Sequence, residues 1–158
     1  MLKQEEPYYK LNPPKMKVDY CLSKREIHAP FSNKSFAMLL VGKPASGKSS
    51  FLISILNQKS PRIYRKVFKH IIVVCPSLDS LPEDLLLGIP QEQKFRELSL
   101  DVKNMIEENS EAYKEEEDEC YSQLLILDDI TAYLKNKENV KFLNELFFNR
   151  RHLRLSII

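Results

Sequence analysis

An α/β fold, a mostly parallel sheet with helices on both faces, is predicted by two observations. Apolar runs at residues 36–41, 70–74, 124–127 and 153–158 alternate with stretches of helical spacing, the pattern of parallel strands joined by crossover helices. Between the first run and the helical stretch 50–57 lies Gly42-Lys43-Pro44-Ala45-Ser46-Gly47-Lys48-Ser49, which fits G-x-x-x-x-G-K-[ST]. In a fold of this class, nucleotide is expected at the carboxyl ends of the strands.

Residues 1–35 alternate charged side chains with Tyr8, Tyr9, Pro7, Pro13 and Pro14, which favours an extended arm. Seven basic against four acidic residues give it a net charge of +3. A solvated N-terminal extension accounts for this composition, and contact with nucleic acid or a neighbouring subunit is the alternative. No apolar stretch of the kind a secretory signal needs is present near Met1.

The loop that follows is a candidate phosphate site for stated reasons. Only three glycines occur in the chain, and two of them occupy the glycine positions of the motif. They let the backbone turn tightly, so that successive N–H groups cradle a β-phosphate at the start of the next helix, where Ser50 is also expected to contact the nucleotide. Lys48 is expected on the β- and γ-phosphates, and the Ser49 hydroxyl on Mg²⁺.

Beyond the helix, Ser60-Pro61 breaks the pattern, and residues 70–74 read as a second buried parallel strand. His70, at its entrance beside Lys69, is expected to be a partly exposed structural histidine. Residues 77–90 carry Pro82, Gly88 and Pro90 around Leu85-Leu86-Leu87, a loop with a helical turn. Ser99 or Asp101 can cap a longer helix in which Val102, Met105, Ile106, Asn109 and Tyr113 recur at helical spacing. Residues 101–119 hold nine acids against two bases, net −7, and are expected to form a solvated helix end.

Leu124-Leu125-Ile126-Leu127-Asp128-Asp129 is the second chemical landmark. An apolar run ending in acids is what a buried parallel strand presents when its carboxyl end enters a site, and it resembles a Walker B motif. Mg²⁺ is a hard cation that takes one or two carboxylates, which suits Asp128. Asp129 is then placed to orient the water that attacks the γ-phosphate. Residues 139–149 read as a helix with Val140, Leu143 and Phe147 on its packed face, and 153–158 as a further strand. Between them, Arg150, Arg151, His152 and Arg154 suit the negative end of a helix dipole. The alternative role is an arginine offered to a γ-phosphate in a neighbouring subunit.

Composition bounds the rest. At 158 residues and 43% hydrophobic, the chain can bury one core, and its apolar runs fall far short of the ~20 residues of a membrane helix, so a soluble, non-membrane protein is expected. Cys21, Cys75 and Cys120 are odd in number and widely spaced, suggesting neither a disulfide framework nor a zinc site, and a reducing compartment is the natural inference. The overall charge of +2 does not mark a nucleic-acid binder, so any such surface must be local.

Residues 36–49, 124–130 and 146–158 together resemble the FtsK–HerA-type genome-packaging ATPases of large DNA viruses and their relatives, over about residues 30–158. The loop is generic to many NTPases. The Asp-Asp strand tip, followed by a helix and an Arg-His pair just before a hydrophobic strand, is more specific. The resemblance implies a RecA-like P-loop NTPase core that assembles into a homo-oligomeric ring and uses ATP and Mg²⁺ to drive double-stranded DNA into a capsid. It further implies a capsid or portal component as partner, a location in the cytoplasm or virus factory of an infected cell or in the virion, and Arg151 as the trans-acting arginine. Asn149 departs from the pattern by standing where Gly commonly precedes the Arg-His pair. Relatives also continue beyond the strand that here reaches Ile158, to a polar sensor. The expected organisation is therefore an extension, 1–35, and an ATPase domain, 36–158, incomplete at its C-terminal end. A small-molecule kinase or other P-loop NTPase is the alternative enzyme, and a copy that binds nucleotide or a partner without turnover is the alternative of another class.

Overall fold

The computed structural model describes residues 21–115, 120 and 122–158. Four parallel strands, β1 (His70–Val74), β2 (Lys94–Phe95), β3 (Gln123–Leu127) and β4 (Leu155–Ile157), form one sheet in the order β2-β1-β3-β4. β1 pairs with β3 along its whole length, from His70 opposite Gln123 to Val74 opposite Leu127. Leu155 of β4 lies opposite Gln123, so β4 covers the first part of β3. On the outer side of β4, Ala37 forms a parallel bridge to Ile157, with Met38 N donating to Ile157 O (2.8 Å) and Ile157 N to Phe36 O (3.0 Å). The segment leading into the glycine loop is thus the neighbour of β4.

Helices cover both faces. α1 (Lys48–Asn57) and the single turn α2 (Glu83–Leu86) lie on one, and α3 (Leu100–Glu115) and α4 (Lys137–Asn149) on the other. Alternate residues of β3 serve the two layers, as they must in a strand buried on both sides. Leu124 and Ile126 join Val73, Leu52, Ile55 and Leu56. Leu125 joins Ile72, Val74, Val102, Ile106, Leu143, Leu146, Leu155 and Ile157. Each of these fully buried aliphatic side chains stabilises the fold by roughly 1.5–3 kcal/mol. Helix α3 packs through Val102, Ile106, Ser110 and Tyr113, with Asp101 in its first turn and Lys114 in its last, where each charge suits the dipole. Lys103 of α3 meets Glu145 of α4 at 3.5 Å.

Several expectations need correction. Residues 36–41 do not form a full strand: only the 36–38 part pairs, and Leu39 and Val41 are 86% and 83% exposed. Ala37 lies opposite Ile157, and residues 39–41 run on past that bridge. Helix α1 starts at Lys48, inside the motif. The last strand covers Leu155–Ile157, because Leu153 and Arg154 belong to the preceding turn, where Arg154 has φ 47°. Phe147 does not lie on the packed face of α4; Leu143 and Leu146, three residues apart, point at β4, and Phe147 faces outward.

The extension drawn over 1–35 is packed in its later part. Leu22 and Ile27 are buried in the α1-side cluster, and Leu22 N donates to Asn33 O (2.9 Å). Tyr64 anchors this segment: its ring stacks on Phe36 at 5.1 Å, and its hydroxyl donates to Ser32 O and accepts from Ser32 N, both at 3.0 Å. Burial pushes the Tyr64 hydroxyl pKa up to about 12, against a smaller lowering by the Ser32 backbone. Residues 1–20 and the acidic residues 116–119 lie outside the described residues. Among the described residues, no helix is long and apolar enough to cross a membrane.

Candidate nucleotide site

The glycine loop joins the 36–38 segment to α1 and lies at the carboxyl edge of the sheet. Gly47 has φ 89° and is the N-cap of α1, with Ala45 also left-handed at φ 60°. At Gly42 a Cβ would stand 2.4 Å from Ser46 Oγ, so the chain there closes on itself too tightly for a side chain unless Ser46 moves. No side chain caps α1 and no acid lies in its first turn. The first N–H groups and the positive end of the dipole therefore face an anion-binding position. Ser46 N donates to Lys43 O (3.2 Å), closing the turn, and Lys48 Nζ donates to Gly42 O and Lys43 O, both at 3.0 Å. The Lys48 ammonium thus arches over the loop; Lys43, Pro44, Ala45, Ser46 and Gly47 are exposed and Ser49 and Ser50 open α1.

Asp128 and Asp129 sit at the carboxyl tip of β3. Asp128 N extends the ladder by donating to Val74 O (3.0 Å), and its side chain is half-buried. Asp129 has φ 53°, a conformation that Asp tolerates better than most residues, and there the chain leaves the sheet into the tight helical turn Ile130–Lys135. Lys48, Ser49 and Asp128 line one cavity of about 100 Å³, walled by Met38, Leu52, Leu81, Leu85 and Ile126. Its volume is below the ~300–1,000 Å³ of pockets that enclose a whole ligand, so it does not surround a nucleotide completely. The Ser49 hydroxyl and the Asp128 carboxylate are oxygen donors of the kind Mg²⁺ selects, so the residues present fit that ion.

Two residues at this edge have at most a faint signal in the sequence. Cys75 is buried at the tip of β1, with its N–H donating to Phe95 O (2.9 Å). Burial above all pushes its thiol pKa up; the Ser77 backbone and Arg96 pull it down, and the charges of Asp128 and Asp129 raise it further. Arg96 follows β2 and holds Asp79 with two hydrogen bonds, 3.0 and 2.9 Å, while its carbonyl accepts from Tyr133 Oη (3.0 Å). The only pointer in the sequence was the Cys-Pro pair after an apolar run.

Arg151 is not brought to this cavity. Leu155 is paired with the first residue of β3, and Arg150 and Arg151 precede it, so they lie at the amino edge of the sheet. The phosphate loop lies at the opposite edge, a strand length of about 16 Å away. Arg150 Nη1 donates to Phe147 O (2.7 Å), the dipole-capping role expected of a cation there. His70, also at the amino edge, bonds through Nδ1 to Tyr113 Oη at 2.6 Å with the rings stacked. Desolvation, then the neighbouring Lys69, holds its pKa below the usual histidine range, which suits a structural group.

A family model described as Poxvirus A32 protein matches residues 24–158. No curated protein and no solved structure matches the chain.

Proposed function

The chain belongs to the Poxvirus A32 protein family, and from that premise we propose that it is a Mg²⁺-dependent ATP hydrolase of the FtsK–HerA type that packages viral double-stranded DNA. The family is one of viral genome-packaging ATPases. The observation that carries the reading is the convergence of Lys48, Ser49 and Asp128, from the loop and the β3 tip, on one cavity.

In this reading the backbone N–H groups of residues 42–49, with Ser50, hold the β-phosphate, and the Lys48 ammonium neutralises charge on the β- and γ-oxygens. Ser49 and Asp128 would hold Mg²⁺, which would offset the charge of the phosphate oxygens. Asp129 orients a water and accepts its proton on a carboxylate oxygen as that water adds to the γ-phosphorus and the bond to ADP breaks, leaving inorganic phosphate. Arg151, on the opposite edge of its own subunit, serves a neighbour in a ring rather than its own site. The working place is the cytoplasm of the infected cell, with a capsid or portal component as the recipient of DNA.

Lys48→Ala is expected to lower affinity for a fluorescent ATP analogue about 10- to 100-fold, the size of a lost charge-assisted contact. Asp129→Asn is expected to keep binding and lose turnover by roughly 10²–10⁴-fold in a steady-state phosphate-release assay. Unchanged affinity in the first variant sinks the loop assignment, and undiminished turnover in the second moves the base elsewhere.

A further inference from the structure

A groove of about 590 Å³ runs between α4 and the tight turn Ile130–Lys135, away from the phosphate cavity. Lys135, Lys137 and Lys141 line it together with the apolar Leu134 and Val140, with Asn144 and Phe148 farther along α4. Lys137, Lys141, Asn144 and Phe148 follow one another at helical spacing and so share one outward stripe. Lys137 and Lys141 are one turn apart, about 6 Å along the axis. Lys135, Lys137 and Lys141 are exposed and make no ion pair among the described residues. Glu145, the one acid in the groove, is already engaged by Lys103 of α3 at 3.5 Å. Phe148 is 83% exposed.

Three unneutralised lysines and an amide along the rim of an open groove can meet successive phosphates of a polyanion. A protein partner fits less well, because lysine is depleted where proteins bury surface against one another. We infer that this α4 groove binds the phosphate backbone of double-stranded DNA. The inference rests on the DNA-packaging reading above and assigns the surface involved.

Lys135 closes the helical turn whose N-cap is Asp129. Asn139 Nδ2 donates to Tyr133 O at 3.2 Å, tying α4 to that turn, and Asn136 caps α4 by accepting from Glu138 N at 2.8 Å. Lys135 and Lys137 therefore stand on the segment that runs from Asp129 into α4.

The test is anisotropy of the full chain with a labelled DNA duplex over a series of salt concentrations, alongside ATP-analogue binding. The triple variant Lys135→Ala, Lys137→Ala, Lys141→Ala is expected to weaken duplex binding about tenfold or more and to flatten the plot of log affinity against log salt by roughly 0.9 per lysine removed. Its ATP-analogue affinity is expected to stay at the parent value, and the corresponding triple Lys→Arg variant to restore duplex binding. Duplex binding by the alanine variant with the parent's affinity and slope overturns the groove assignment while leaving the packaging reading intact. Absence of duplex binding by the parent at low salt overturns both the groove and the DNA part of that reading, with ATP binding as the measure of what survives. A change in sedimentation of the alanine variant without a change in duplex binding makes the groove a protein interface and overturns the inference.

Discussion

Gly47 holds α1 and the loop together through one backbone angle, φ 89°, and a Cβ there would meet open space. The cost of a side chain is therefore conformational rather than steric. Gly47→Ala is expected to destabilise the domain by about 1–2 kcal/mol, the penalty of a left-handed non-glycine residue. Differential scanning should register that as a Tm lower by roughly 2–8 °C; an unchanged Tm would show that the loop is not held in this conformation. At Gly42 the obstacle is the Ser46 hydroxyl, a group that can rotate away, so the two glycines of one motif have different physical reasons. This much is legible in the sequence, because the motif fixes residue types at fixed spacing. The nearness of Cys75 and Arg96 to Asp128 is not, since it arises from the pairing of β1 with β2 and β3, which no local pattern specifies.

Elements are legible where a run of side chains has one environment along its length. β1 and β3 pair over all five positions and are buried on both faces, so their continuous apolar runs mark them directly. The run at 36–41 looks alike in sequence yet pairs with β4 only around Ala37, and Leu39 and Val41 are exposed. On α4 the spacing allowed either Phe147 or Leu146 beside Leu143, and only the position of β4 decides between them. Buried polar groups are the least readable. Gln123, at 0% exposure, donates through Nε2 to Ile106 O (2.9 Å) and Leu153 O (3.0 Å) and accepts from Asn109 Nδ2 (3.1 Å). It thereby joins α3 and β3 to the turn that carries Arg150 and Arg151. Gln123→Leu keeps the volume and leaves these partners without it, so a loss of roughly 1–3 kcal/mol is expected. Urea denaturation checks this: the midpoint falls with the m-value unchanged, and a midpoint equal to the parent's would mean that water or relaxation replaces the side chain.

For the whole molecule, the parallel sheet sorts the candidate groups by edge. Lys48, Ser49, Asp128 and Asp129 gather at the carboxyl end, and Arg150 and Arg151 stand at the amino end. If Arg151 completes a neighbour's site, a subunit without it keeps a sound site of its own. Mixing Arg151→Ala with Lys48→Ala subunits is therefore expected to recover part of the ATPase activity that each lacks alone, measured on assemblies whose mixed composition is established by mass. Mixed assemblies as inactive as both parents would remove Arg151 from the chemistry. The same separation of edges constrains any assembly in which Arg151 acts on a second copy. If Arg151 serves a second copy, the surfaces that meet are unlike ones; two copies related by a twofold axis can exchange them reciprocally, whereas a head-to-tail contact leaves each partner with a different surface engaged. In the head-to-tail case one loop would stay unserved and one arginine turn unspent at the ends of any open chain of copies, and only a rotation that returns the last subunit to the first would remove both ends; without that closure the contact would propagate as a filament.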